Sequence, residues 1–381
     1  MIRTRYILLL IILSLPGLAE CSELPDTLSS DRNIIVKLMD FFDRSSHDET
    51  FEKSVDWGVL GGVGYSQERG FGVSANLTGG YRLDKSDSLS LPSWFAVMAN
   101  VALNEYYSIE STGKMFLNSE RHRIDHFFEY SSGCRDIWGV GYDAALYNAP
   151  IYYRLNRFIA NVEYRYNFAG DFIIGSLVNC QYYKGMNITD RSYINNETPK
   201  SYAVGGGLLV EYDSRDNRYS ATSGFYASIK GALYPQAMSS LSKSIYKGYV
   251  NLSSYHSVWR GGVIAAGLQG EFSTSGTPWS MLSSLGDYGF MRGYYLGRFV
   301  DNNAVSMQVE LRQDIWWRLS GAVWGGCGNM YSSTRYFDIS ETLPSYGFGL
   351  RFNASNSTIV RLDLGFGSDT IGFLMRYNQA F

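Results

Sequence analysis

A Gly- and aromatic-rich loop around Arg292, and the charged face of the strand behind it, are the features whose residue types and spacing first suggest a chemistry. Arg292 stands within Gly289–Phe299, which reads Gly-Phe-Met-Arg-Gly-Tyr-Tyr-Leu-Gly-Arg-Phe. Just beyond it comes a strictly alternating segment, with Val305, Met307, Val309 and Leu311 on one face and Ser306, Gln308, Glu310 and Arg312 on the other. Period-2 alternation divides a strand into two faces. A charged face opposite an apolar one suits the lumen and wall of a barrel better than a soluble sheet. The chemistry this offers is ion pairing. A loop guanidinium that meets a strand carboxylate gains geometry as well as energy, and left unpaired in a partly buried place it is costly.

Catalysis finds no comparable pattern. Of the four histidines, His47 precedes the first strand, and His122, His126 and His256 fall in strands without a Ser/Asp constellation that spacing can identify. There is no Gly-x-Ser-x-Gly elbow and no His/Glu metal spacing. The four cysteines, Cys21, Cys134, Cys180 and Cys327, lie too far apart for a zinc site. Export would permit a disulfide, but Cys327 sits within a strand, where a lone buried thiol is the commoner outcome. Glu211-Tyr212-Asp213-Ser214-Arg215-Asp216-Asn217 reads as a tight polar turn; it lacks the ligands of a calcium loop. The expectation is therefore no enzyme, no cofactor and no metal.

The elements that must hold these residues are strands. The chain has 381 residues, is 15% aromatic with 30 Tyr, and is only 18% charged. After the first twenty residues, no stretch approaches the roughly 18 apolar residues of a membrane helix. Heavy Tyr use and low charge then leave a secreted all-β protein or an outer-membrane barrel with aromatic girdles. A net charge of −3, with Lys and Arg scattered, points away from nucleic acid.

Met1–Ala19 reads as a secretory signal: Arg3 and Arg5, the apolar run Ile7–Leu15, then Gly17-Leu18-Ala19. Glu20 fits poorly before a lipidated Cys21, so cleavage after Ala19 is expected. Residues 20–55 form a periplasmic segment. In it Asp31–Ser45, with Ile34, Ile35, Leu38, Phe41 and Phe42 at helical spacing, predicts a short amphipathic helix, packed on the barrel or plugging its periplasmic mouth.

From 56 to 381 the pattern is strand and turn. Sixteen segments emerge: 56–66, 71–83, 93–103, 106–117, 122–132, 151–168, 172–185, 201–212, 223–234, 243–257, 261–273, 303–316, 319–330, 345–353, 357–367 and 370–381. The fold expected is an all-β, about 16-stranded antiparallel transmembrane barrel. Long connections should then fall only after odd strands, on the outer side. The gaps 133–150, 186–200 and 274–302 obey, while 84–92 does not. The chain ends on Ile371, Phe373, Met375, Tyr377 and Phe381, the alternating, aromatic-terminated pattern of a barrel's last strand. Gly58, Gly61, Gly62 and Gly64 would weaken pairing of the first strand. A lateral seam is therefore expected between those glycines and Phe373, Tyr377 and Phe381.

Taken together, loop and strand resemble the BamA/TamA superfamily of outer-membrane barrels (bacterial surface antigen family). There a long outer loop folds into the lumen on an Arg-Gly-aromatic motif, matched here by Arg292-Gly293-Tyr294, and its Arg pairs with a lumenal Glu that matches Glu310. The Asp213–Asn217 turn matches a second motif of the family, with Ala221 near the place of its usual Pro. Two departures stand out. The next strand carries Gly326 where the family commonly has an Asp, which leaves Arg292 one carboxylate instead of two. Fewer than forty residues separate signal from barrel, too few for the family's periplasmic POTRA repeats.

The resemblance implies a bacterial outer-membrane protein that assists insertion or transport of proteins, or of lipids. Its partners would be outer-membrane lipids, client outer-membrane proteins and envelope assembly factors. The alternatives are a passive pore or a structural barrel subunit of a larger envelope complex, with a barrel enzyme third. If Arg292–Glu310 braces the loop alone, exchanging the two charges should restore what each single change loses.

Overall fold

The computed structural model describes residues 50–381 apart from 88–89, 219, 287–288, 354–358 and 378. The expected signal, Cys21 and the helix at 31–45 lie outside the described residues. The alternating segments form strands close to where their pattern places them. The first half of the wall is β1 (Asp56–Ser66), β2 (Gly70–Tyr81), β3 (Ser93–Ala102), β4 (Tyr106–Leu117), β5 (His122–Ile137), β6 (Ile151–Ala169), β7 (Phe172–Met186) and β8 (Lys200–Asp213). Then come β9 (Gly224–Tyr234), β10 (Ile245–Trp259), β11 (Gly262–Ser273) and the short pair β12 (Ser283–Leu285) and β13 (Phe299–Asp301). The wall is completed by β14 (Asn303–Trp316), β15 (Leu319–Tyr331), β16 (Leu343–Asn353), β17 (Ile359–Phe366) and β18 (Ile371–Tyr377).

Sixteen of these close into one antiparallel barrel in which chain neighbours pair; β12 and β13 form a separate small sheet inside the 274–302 connection. Each strand puts one face inward. On β14, Gln308 and Glu310 are 2% and 0% exposed, while Met307 and Val309 on the outer face keep 55% and 53%. An outward apolar face with an inward polar one is the arrangement a hydrocarbon surround requires of a closed sheet.

The loop rhythm holds for 118–121, 170–171, 260–261 and 317–318, all short and on the side of the two terminal strand ends. It fails at 82–92 and 214–223. The second exception is ordered by its own side chains: Asp216 accepts hydrogen bonds from the Thr222 and Asn217 amides, both at 2.9 Å, and Arg218 reaches Glu120 at 3.2 Å. Ala221 of this turn packs against Tyr255 and Ala265.

The opposite mouth is filled. Ile194, Leu241, Trp279 and Met281 come from the connections 187–199, 235–244 and 274–302, and they pack onto inward residues that include Tyr153, Tyr183, Tyr234 and Ile245. A second apolar cluster joins Ala145 of the helix α1 (Tyr142–Tyr147) to Leu285, Met291, Tyr294, Phe299, Met330 and Leu343. Burial of this apolar surface, at about 25 cal/mol per Å², holds the loops in the mouth.

The last strand departs from expectation. β18 ends at Tyr377, and the chain turns inward rather than continuing to 381. Phe381 stands in the lumen, 5.1 Å from the Phe290 ring and 6.5 Å from Tyr255, with Arg312 over its ring at 5.5 Å. Strand alternation stops constraining a side chain once pairing stops, and the lumen offers Phe381 two aromatic rings and a cation.

Candidate functional site

The 274–302 connection descends into the lumen and places Arg292 at 3% exposure. Its backbone makes that descent through left-handed positions: Gly286 at φ +82°, Met291 at φ 52° and Gly293 at φ +115°. A Cβ on Gly293 would come within 2.8 Å of the Gly365 carbonyl carbon and 2.9 Å of the Phe366 amide. Only glycine allows both that φ and that approach. The Arg292 carbonyl is held by the Ser345 hydroxyl at 2.9 Å.

Arg292 pairs with Glu310 at 2.5 Å, the partner that the resemblance implies. It also pairs with Asp363 of β17 at 3.0 Å. The expectation of a single carboxylate partner is thus corrected: the acid lost at Gly326 is supplied two strands further round the wall. Trp324, on the strand that carries Gly326, contributes its ring instead, 3.6 Å from the Arg292 guanidinium carbon. Register explains the substitution. Glu310 lies opposite Trp324, and Trp324 opposite Gly347, whose missing side chain makes room for the Trp324 ring; Gly349, opposite Asp363, leaves room in the same way for the Asp363 carboxylate and the Arg351 guanidinium.

The same two acids serve three further arginines. Arg312 lies 2.9 Å from Glu310 and Arg351 3.5 Å from it, while Arg351 and Arg361 both reach Asp363. Four guanidinium groups therefore share two carboxylates, all at most 8% exposed at the side chain. The expected charge exchange would now set a third guanidinium beside Arg312 and Arg351. Recovery is no longer expected from it.

Beyond Arg292 the loop bridges the ends of the wall. The Tyr294 hydroxyl donates to the Pro344 carbonyl at 2.7 Å and accepts from the Ser368 amide at 2.9 Å. The Leu296 amide donates to Glu68 in the β1–β2 turn at 2.8 Å, and Arg298 pairs with Asp369 in the β17–β18 turn at 2.7 Å.

Between those turns the barrel is barely joined. β1 pairs with β2 along its whole length, Asp56 to Ser66, and β17 pairs with β18 from Val360 to Phe366. Among the described residues β1 and β18 share one residue pair, Tyr65 opposite Met375. Phe373 lies across this seam from Tyr65, ring centroids 5.8 Å apart. Gly58, Gly61, Gly62 and Gly64 are all on β1, yet its pairing with β2 is intact. The gap follows from the shortness of β18 and the inward turn of its tail, which takes Phe381 away from the seam where it was expected.

A family model described as the Omp85 superfamily domain matches residues 69–371. The chain belongs to that superfamily. Its barrel is similar to BamA from Haemophilus ducreyi lacking POTRA domains 1–3, at 14% identity and a TM-score of 0.58, over 86% of this chain and 70% of that one. CdiB from Acinetobacter baumannii matches at 12% identity and 0.57, and CdiB from Escherichia coli at 13% and 0.58, each over 86% of this chain. This Omp85 chain spans 60% and 63% of those two CdiB chains, less than two thirds of either. No curated protein sequence matches it. Family and closed barrel together indicate a bacterial outer-membrane protein.

Sequence reasoning missed Asp363, Arg351 and Trp324. The Arg361–Asp363 alternation on a polar face was a usable signal, since charges on an inward face need partners. What sequence lacks is the register that brings β17 beside β14's acid.

Proposed function

We propose that this Omp85 barrel assists insertion or transport of proteins, or of lipids, at the outer membrane by parting β1 from β18. The observation that carries the reading is the single residue pair across that seam among the described residues, against seven or more pairs at every other joint of the wall. An edge that pairs so little presents unfilled backbone donors and acceptors, which an incoming strand can pair with. The apolar clusters in the outer mouth favour this sideways route over a passive pore along the axis.

The test is a disulfide across the seam. Tyr65→Cys with Met375→Cys puts two thiols at directly opposed positions, where antiparallel Cα spacing of about 4.5–5.5 Å suits a bridge. Cys21 and the free Cys134, Cys180 and Cys327 are first replaced by Ala. Cells dependent on the oxidised protein should lose outer-membrane proteins or lipids from quantitative envelope profiles and regain them on reduction. An unchanged profile under full cross-linking would sink the proposal.

A further inference from the structure

The Phe381 ring has two places to go. β18 turns Ile371 and Phe373 to the outer face, and position 381 keeps their parity. The pair that joins the seam, Tyr65 with Met375, fixes the register of any further pairing. Carried past Tyr377, that register sets Gly61 opposite Gln379 and Val59 opposite Phe381. Val59 stands exposed on the outer wall. Strand pairing would therefore put the Phe381 ring in lipid. The structure puts it in the lumen, against Phe290 and Tyr255.

The lumen wall has room for it. Gly267 of β11 stands in register with Ser253 and Gln308, both buried on the inner face. A Cβ on Gly267 would come within 2.8 Å of the Phe290 ring and 3.1 Å of the Phe381 ring. The two rings thus lie against bare backbone, and a side chain at 267 would displace the rings before it displaced the wall. Tyr255, Ala265 and Ala221 pack round Phe381, and Arg312 donates to its main-chain oxygen at 3.0 Å. Arg312 also gives its Nε to Glu310, the acid that holds Arg292. Loop and tail therefore depend on one carboxylate. Phe290, two positions before Arg292, brings the loop into direct contact with the tail.

Two forces then compete for residues 379–381. Among the described residues β1 has one partner residue on its seam side, and unpaired backbone groups at a sheet edge in hydrocarbon are costly. Pairing with β1 would relieve that cost; the pocket withholds the tail from it. We infer that the pocket is a latch: Phe290 of the loop and the bare backbone at Gly267 hold the tail off β1, and a displaced loop releases it to extend β18 along β1. The docked tail leaves the β1 edge open to an incoming strand, and the paired tail shuts it. The inference needs the sparse seam and the docked tail, not client insertion. Clients unaffected by a bridged seam would not touch it, and a tail that never pairs with β1 would leave the insertion reading standing.

The test is the rate at which Gly61→Cys and Gln379→Cys bridge on oxidation of the refolded full chain in detergent, its own cysteines replaced by Ala. With the latch intact, bridging should be slow. Phe290→Ala in the loop, Phe381→Ala in the tail and Gly267→Leu in the wall should each speed it, by about twofold to tenfold, the range that one aromatic pair contributes. Tyr65→Cys with Met375→Cys, at the pair already formed, should bridge at one rate in all these backgrounds. Heat-resistant mobility before oxidation shows which variants are folded. If Gly267→Leu does not fold, Phe290→Ala and Phe381→Ala, which leave the wall untouched, carry the test. Fast bridging of 61 with 379 while the latch is intact, or a rate that neither Phe290→Ala nor Phe381→Ala raises, overturns the latch.

Discussion

Glu310→Gln should destabilise the barrel more than Arg292→Met, although the two residues form one ion pair. The pair sits in a cluster with a surplus of two positive charges. Glu310 takes guanidinium groups from Arg292 at 2.5 Å, Arg312 at 2.9 Å and Arg351 at 3.5 Å. Neutralising it raises the surplus to three and takes from Arg312 its side-chain carboxylate, leaving its bond to the Phe381 main-chain oxygen at 3.0 Å. Breaking a buried pair from one side costs about 3–5 kcal/mol, and Glu310→Gln belongs at the top of that range. Arg292→Met strands no acid: Glu310 keeps Arg312 and Arg351, and Asp363 keeps Arg351 and Arg361. It forfeits two charge-assisted hydrogen bonds and the stacking on Trp324, but it lowers the surplus to one, so a net cost of about 1–3 kcal/mol follows. The assay is urea unfolding of the refolded protein in detergent, read by tryptophan fluorescence and by heat-resistant gel mobility. An Arg292→Met cost equal to or above that of Glu310→Gln would refute the charge-surplus argument.

Gly293→Ala should dislodge the loop, through its φ of +115° and a Cβ 2.8 Å from Gly365. Protease cleavage within 286–298 in otherwise folded protein is the readout, and continued protection would contradict the close approach. Trp324→Leu should cost about 0.5–2 kcal/mol in the same urea series; no loss would mean that the stacking is incidental. The turn 214–223 should loosen in acid. Burial raises the Asp216 carboxyl, but hydrogen bonds from Thr222, Ser223 and Asn217 outweigh it and hold the group below its ordinary value. A depressed folded pKa contributes stability above the unfolded value and loses it as pH falls through the folded one. Cleavage in this turn should therefore rise below about pH 4, and Asp216→Asn should show the same cleavage at neutral pH. Cleavage unaffected by either change would remove Asp216 as the organiser of the turn.

The wall was legible because a strand between lipid and lumen must alternate, and Val305–Arg312 shows that constraint without exception. Glu310 could be placed on the polar face by alternation, and its pairing with Arg292 came from the family's Arg-Gly-aromatic motif. Asp363 could not, because its place beside Glu310 depends on registers accumulated across β15, β16 and β17. Met291 and Tyr294 read as loop residues, yet they bury as core once the loop folds into the mouth. Tyr65 and Met375 look no different from other wall residues; that they form the strand pair at the seam depends on where β18 stops. The direction of the tail to Phe381 was likewise hidden, since alternation says nothing beyond the last paired residue.

The near-absent seam also bears on how the barrel forms. Gln67 and Ile371, bonded beside it, are 304 positions apart, so no other joint in the wall closes a longer stretch of chain. Closure entropy grows with that length, while the return here is one residue pair and the loop contacts above it. Every other joint links strands that are neighbours along the wall and can zip in turn. Ring closure should therefore come last and be the first step undone, with an open sixteen-stranded sheet, its loop already docked, as the species next to the native one.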